Sequence, residues 1–207
     1  MKKLINNVDT SEKDMSKKDI IETIIFIINQ ILEYTSKLEQ LTPSIFDAKK
    51  KQDQKGEEEL STDDQTLTDS FNDLNIKEDT KIEKYTLDQL LYYWVDKLNF
   101  DENLLLLMMM NLDKILDSKK IILNEENVAN VLFTCMIITQ KYYEDEKIFD
   151  KDYSRLKKIE CDDLIEMQFK LLEMLNFSLA IDENDFKLYK IRMKKLWRKN
   201  MIYLCYS

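Results

Sequence analysis

The residue types that perform most catalytic chemistry are scarce in this sequence. Its 207 residues include no histidine, so the usual general base and the commonest metal ligand are missing. The single glycine, Gly56, excludes the glycine-rich loops that cradle phosphates. Carboxylates are plentiful, but in a chain with 34% charged residues most acidic pairs lie on solvated faces. The composition therefore disfavours an enzyme and predicts no metal and no cofactor.

Cysteine usage and net charge narrow the expected environment. Cys135, Cys161 and Cys205 are widely spaced and form no CxxC pair. They indicate a reducing compartment, so we expect an intracellular protein of the nucleus or the cytoplasm. The net charge of −9 disfavours binding to nucleic acid or to a membrane surface. The N-terminus, Met1-Lys2-Lys3, leads into polar sequence, and no secretory signal is predicted.

The scarcity of glycine and proline in a chain that is 44% apolar predicts an all-α fold. Residues 1–17 are polar and are predicted to be disordered. An apolar stripe with spacings of three and four predicts a helix over 18–41. From 42 to 81 the apolar residues are isolated, which predicts a disordered acidic and polar insert. Residues 82–200 are predicted to form one helical domain, followed by a tail over 201–207.

Capping residues divide the domain over 82–200 into five helices. The predicted helices cover about 87–98, 102–117, 125–143, 163–176 and 183–200. Their predicted N-caps are Thr86 (with Gln89 as its capping-box partner), Asp101, Asn124, Asp162 and Asp182.

The third predicted helix is apolar on every side. Between Val128 and Ile138 only Asn130 and Thr134 are polar, and such a helix must be enclosed by other helices. We therefore expect a central third helix with the four other helices around it. A membrane hairpin made of the second and third helices is the alternative, and it fails because a span needs about 20 apolar residues.

Five helices around a buried third helix resemble a cyclin box. Residues 139–145, Thr-Gln-Lys-Tyr-Tyr-Glu-Asp, resemble the Ser-Lys-Phe ending and following acids of cyclin helix three. Residues 166–179 look like the family's Met-Glu pattern with spaced leucines. The segments Thr86-Leu87 with Leu90-Leu91, and later 111–114, are similar to the short-box cyclins of the yeast phosphate pathway, which also carry a helix ahead of the box. The resemblance covers about residues 82–186, with the helix over 18–41 matching more loosely.

The resemblance implies a single cyclin box and a non-catalytic role. Cyclins bind a cyclin-dependent protein kinase as a heterodimer and hold its C-helix in the active position. Lys141 falls on the family's lysine anchor and Gln168 on its glutamate anchor. The resemblance thus implies kinase binding by Lys141, Tyr142, Glu144, Gln168 and Phe169, widened by the predicted loop from Glu144 to Asp150. It implies structural roles within the box for Tyr93, Asp113 and Met167.

Two positions depart from the family pattern. Gln168 lacks the charge of the usual glutamate, so we expect Lys141 to lack a neighbouring countercharge, since Glu166 and Glu173 lie at the wrong spacing. Tyr93 stands where the family has an arginine that pairs with the acid at Asp113. We expect the Tyr93 phenol to bond to Asp113 instead.

Two alternative functions stand beside kinase binding. The lost charges also fit a cyclin-box adaptor that binds a partner other than a kinase. A small Mg²⁺-dependent enzyme would need acidic pairs inside the bundle, where the helices place apolar residues instead.

The last helix has seven basic residues between Lys187 and Lys199, which fit either a solvated face or a contact with an acidic or nuclear-import partner.

Overall fold

The computed structural model describes residues 14–41, 85–145 and 148–206 of the chain. These ranges contain seven α-helices and no strand, so the predicted all-α fold is confirmed. In chain order they are α1 (Lys17–Leu41), α2 (Leu87–Lys97), α3 (Glu102–Asp117), α4 (Val128–Tyr143), α5 (Asp150–Lys157), α6 (Cys161–Met174) and α7 (Glu183–Tyr206). The predicted disordered segment over 42–81 lies outside the described residues, as does most of the one over 1–17.

Side-chain caps begin several helices where the sequence predicts them. Thr86 and Gln89 form the predicted capping box at the start of α2. Asp101 Oδ1 accepts the Leu104 N–H at 2.7 Å at the start of α3. Asp182 Oδ1 accepts the Asn184 N–H at 2.8 Å before α7. These oxygens satisfy N–H groups that have no partner within the helix.

Two helix starts differ from the prediction. Asn124 Oδ1 accepts N–H groups from Glu126 and Asn127 at 3.1 and 3.0 Å. This closes a separate turn, so α4 begins at Val128 rather than at 125. The N-cap of α6 is Glu160, and Asp162 lies in the first helical turn. Asp162 there faces the positive end of the helix dipole, so its charge remains favourable although it is not the cap.

The enclosed central helix is confirmed. Every residue from 131 to 140 on α4 is buried. α4 packs against α2, α3 and α6, and α5 contacts it as well. From α5, Lys157 Nζ contacts Asn130 Oδ1 and lies 5.9 Å from the centre of the Phe133 ring. The four surrounding helices are therefore α2, α3, α5 and α6.

The prediction of the surrounding helices was wrong in one member. It assigned the last helix to the ring and treated the segment after Tyr143 as a loop. The structure has α5 in that position, while α7 packs mainly against α1 and α3. α5 escapes an apolar-periodicity search because it is only eight residues long, Asp-Lys-Asp-Tyr-Ser-Arg-Leu-Lys, and mostly charged.

The N-terminal helix α1 is part of the same core. Ile20, Ile24 and Ile28 are fully or almost fully buried, at the i, i+4, i+8 spacing of one helix face. They pack α1 against α3 and α7, with a smaller contact to α2. Within the described residues, no helix is long and apolar enough to cross a bilayer.

Candidate functional site

Lys141 lies in the last turn of α4, where the partial negative charge of the helix end favours a cation. Its Nζ donates a hydrogen bond to Gln168 Oε1 on α6 at 2.8 Å. The structure thus brings together the two residues that the sequence resemblance pairs as anchors. They are 27 residues apart in the chain, and the packing of α4 on α6 makes the contact possible.

A third side chain, Asp150, completes this cluster. Asp150 is the first residue of α5, and its Oδ1 forms an ion pair with Lys141 Nζ. The same oxygen accepts a hydrogen bond from Gln168 Nε2 at 2.8 Å. The expectation that Lys141 lacks a countercharge is therefore wrong. The carboxylate comes from α5 instead of from position 168, and we call these three residues the anchor cluster.

The protonation of Asp150 reflects its neighbours. Partial burial by itself raises the pKa of this carboxyl group. The hydrogen bonds from Lys141 and Gln168 and the charge of Lys141 outweigh that effect, and the pKa ends below its ordinary value. Asp150 also lies at a helix N-terminus, where a negative charge is favoured. The anchor cluster therefore carries a carboxylate and an ammonium group together at neutral pH.

A buried network holds α5 against α4. The Tyr153 phenol donates to Gln140 Oε1 at 3.1 Å, and Gln140 Nε2 donates to the Leu98 carbonyl at 2.8 Å. Gln140 Nε2 also donates to Glu144 Oε2 at 2.6 Å. Burial raises the pKa of Tyr153, and the charges of Glu144 and Asp150 add to this rise. Glu144, predicted as a kinase contact, thus supports the inner network and is half-buried.

Large apolar side chains are exposed beside the anchor cluster. Phe169 follows Gln168 on α6 and is 53% exposed, and Ile165, one turn earlier, is about as exposed. The rings of Phe169 and Phe177 meet edge to face, with centroids 5.8 Å apart. Helical spacing places 165, 168 and 169 on one side of α6. The polar cluster therefore borders an apolar patch.

The large side chains at the end of α4 and just after it divide into two groups. Tyr142 and Phe149 are exposed, whereas Tyr143 and Ile148 are half-buried and pack on the core. The Tyr143 phenol donates to the Leu179 carbonyl at 2.7 Å. Tyr142, a predicted partner contact, is thus available at the surface. We define the docking face as the anchor cluster together with Tyr142, Phe149, Ile165, Phe169 and Phe177.

The predicted bond between Tyr93 and Asp113 does not form. Tyr93 is 45% exposed on α2, and its ring lies 5.8 Å from Lys97 Nζ. Asp113 Oδ2 instead accepts a hydrogen bond from the Tyr189 phenol of α7 at 2.8 Å. Tyr93 lies outside the inward stripe of α2, since its neighbour Trp94 is the buried residue. A structural role of Tyr93 in the box stays a prediction, without the bond to Asp113.

Asp113 and Tyr189 are both half-buried. Burial raises the pKa of Asp113, the charge of Asp117 adds to the rise, and the hydrogen bond from Tyr189 opposes it. Met167, also predicted as structural, is fully buried, and Thr134 Oγ1 lies 3.9 Å from its Sδ. Met167 therefore packs α6 against α4, one residue before Gln168 in the sequence.

Sequence reasoning missed the role of Tyr189 and included Asp150 only as the last residue of the predicted loop. Nothing in the spacing of the last helix pairs Tyr189 with an acid 76 residues away. Asp150 and Asp152 in the first turn of a short helix are a weak N-terminal signal that could have revealed α5. Among the described residues, no group of three or more Cys, Asp or Glu side chains is arranged to hold a metal ion.

The comparisons with known proteins give one match. A family model described as "Cyclin, N-terminal domain" matches residues 57–180, which is more than half of the chain. This range contains α2 to α6 completely and ends before α7. It begins inside the segment predicted as an insert, in a part of the chain outside the described residues. No curated protein matches the chain.

Proposed function

The chain belongs to the cyclin family, and from that premise we propose that it binds and activates a cyclin-dependent protein kinase by holding the kinase's C-helix in its active position. The observation that carries the proposal is the docking face. Its anchor cluster of Lys141, Asp150 and Gln168 stands at the edge of the exposed apolar patch of α6.

The chemistry of this face suits a protein partner. Interfaces combine an apolar centre rich in aromatic residues with polar groups that fix the orientation. Phe169 and Phe177 supply exposed aromatic area, and their mutual contact limits the freedom lost when a partner binds. Lys141 offers N–H groups that bond to main-chain carbonyls, as the family's lysine anchor does. A helix of the partner can therefore rest on the patch while its end meets the anchor cluster.

Activation in this proposal is mechanical. The kinase supplies the catalytic groups, and this chain stabilises the arrangement in which the kinase's Lys–Glu ion pair forms. The docking face needs differential affinity for the active position of the C-helix, because only that difference shifts the kinase toward activity. A short-box type similar to the yeast phosphate-pathway cyclins, and action in the nucleus or cytoplasm, belong to the same proposal.

The test is co-expression with individual cyclin-dependent kinases, purification of the heterodimer and measurement of its kinase activity. Phe169→Ala should weaken binding by about tenfold or more, because a central aromatic residue dominates many interfaces. Leu188→Ala is the matched control. Leu188 lies on α7 and is 53% exposed, the same fraction as Phe169. Affinity equal to wild type for Phe169→Ala would place the interface elsewhere.

The cyclin-box adaptor is the second candidate function. The absence of the family's glutamate and arginine motivated it. Asp150 supplies a carboxylate beside Lys141. The Tyr189 phenol donates a hydrogen bond to Asp113 in place of the family's arginine. Both observations favour the kinase subunit over the adaptor. A stable heterodimer without kinase activity would reverse that preference.

A further inference from the structure

The amide nitrogen of Gln168 is fully used inside the molecule. A glutamine side chain has two N–H donors on Nε2. One bonds to Asp150 Oδ1 at 2.8 Å and the other to the Leu164 carbonyl at 3.2 Å. Gln168 is also buried, and its Oε1 already accepts from Lys141. The residue at the family's acidic position is therefore turned toward its own neighbours.

Asp150 and Lys141 remain open to a partner. Their side chains are 32% and 33% exposed, so each keeps part of its polar end at the surface. An ammonium group has three donors, and Lys141 uses two of them on Asp150 and Gln168. The surface at this point thus presents one carboxylate and one remaining N–H donor. This pattern matches the N–H and C=O groups of a main-chain segment.

Resting on the proposed function, we propose that Asp150 is the acidic anchor of this chain. Its carboxylate accepts a hydrogen bond from a main-chain N–H of the kinase and holds Lys141 toward a main-chain carbonyl. Gln168 is a positioning residue, because its hydrogen bonds to Lys141 and Asp150 hold both side chains in place. The acidic role has thus moved from the middle of one helix to the first residue of another.

The pair of residues at 150 and 168 is complementary in charge. Gln168 donates to Asp150, which a glutamate at position 168 could not do. Two carboxylates at hydrogen-bonding distance repel each other, and one of them would take up a proton. An amide at 168 is therefore the residue that suits an acid at 150. The converse arrangement, an amide at 150 with an acid at 168, keeps one negative charge beside Lys141.

This complementarity gives a test by exchange. The affinity of each variant is measured for the kinase that binds the wild-type chain. Asp150→Asn should lose about tenfold or more, since hydrogen bonds to charged groups are the stronger ones. Gln168→Glu should also weaken binding. The double variant Asp150→Asn with Gln168→Glu should recover most of the loss, which a merely structural role for either residue would not produce.

Asp152→Asn is the matched control. Asp152 lies in the same first turn of α5, is exposed and pairs with Arg155. Its substitution removes the same charge without touching the anchor cluster, and binding should stay as in wild type. Asn at 150 is isosteric with Asp and still accepts from Gln168, so the fold should be retained, as circular dichroism would verify.

The outcomes separate the two proposals. Wild-type affinity for Asp150→Asn, alongside a loss for Phe169→Ala, would overturn the acidic role of Asp150 and leave the kinase-binding function standing. A double variant no better than the two single ones would overturn the exchange and the positioning role of Gln168. A wild-type chain that binds no cyclin-dependent kinase would overturn both proposals.

Discussion

The Tyr189 phenol donates a hydrogen bond to Asp113 Oδ2 across 2.8 Å, and it joins α7 to α3. The bond links a helix outside the matched cyclin range to one inside it. Lys114 strengthens the same junction by donating to the Ala180 carbonyl at 3.1 Å. α7 is therefore tied to the box by polar bonds as well as by its apolar face.

Tyr189→Phe should lower the free energy of unfolding by about 1–2 kcal/mol, because Asp113 then keeps its charge without its donor. Urea unfolding followed by circular dichroism measures the change. Tyr85→Phe is the control, since Tyr85 is exposed just ahead of α2. Equal losses in the two variants would show that the phenol of Tyr189 adds nothing to stability.

Asp113 should make stability depend on pH. Its pKa is raised in the folded chain, first by burial and then by the charge of Asp117. The folded state thus holds the proton more tightly than the unfolded state does. This contribution is complete below the unfolded pKa of about 3.9 and is lost as pH rises through the folded pKa.

Asp113→Asn removes this titration. Its stability relative to wild type should therefore increase as pH rises from about 3.9 toward neutrality. Unfolding curves of both chains at a series of pH values measure the difference. A constant difference across the series would contradict the raised pKa of Asp113.

Ile24→Ala should destabilise the chain by about 2–4 kcal/mol, because it leaves a cavity between α1 and the box. Ile24 is 0% exposed, so no solvent contact reduces the loss. Tyr34→Ala on the same helix is the control, since Tyr34 is 65% exposed. A small effect of Ile24→Ala would mean that α1 docks only loosely.

Tyr153→Phe tests the network behind the anchor cluster. It removes the donor to Gln140 in a buried site, which should cost about 1 kcal/mol of stability. It should also weaken kinase binding less than Asp150→Asn does, because α5 is loosened without losing its carboxylate. Tyr93→Phe is the control and should change neither quantity, since the Tyr93 ring lies at the surface.

Lys158→Gly should stabilise the chain by about 0.5–1 kcal/mol. Lys158 ends α5 in the left-handed conformation, with φ of 61°, which is unfavourable for residues other than glycine. Lys195→Gly in the exposed middle of α7 should have the opposite effect, since glycine weakens a helix interior. Thermal melts of both variants provide the comparison. A loss of stability for Lys158→Gly would contradict this account of the turn.

The large features of the fold were predictable because they depend on local patterns. The capping box of Thr86 and Gln89 and the burial of α4 follow from spacing and polarity within a few residues. The bond expected between Tyr93 and Asp113 came instead from the family comparison, which assigns Tyr93 a partner by position. That bond does not form, because Tyr93 lies outside the inward stripe of α2.

The anchor cluster could be predicted only in part. The family comparison paired Lys141 with Gln168, because α4 and α6 carry recognisable sequence. Asp150 depends on α5, whose position rests on tertiary contacts such as the buried Tyr153 ring. Its own eight residues give little apolar periodicity. The carboxylate thus comes from a helix that apolar periodicity does not reveal.

The turns of the described residues reverse the chain without glycine. Asn99, Lys119, Lys158, Asn176 and Phe177 all have positive φ and follow α2, α3, α5 or α6. The left-handed region open to such residues is small, whereas glycine moves freely across it. Each of these turns is therefore held in one narrow range of backbone conformation. A docking face carried by helices that are joined through such turns is preorganised and loses little conformational freedom when a partner binds. We accordingly expect a partner that docks there to undergo most of the change in shape.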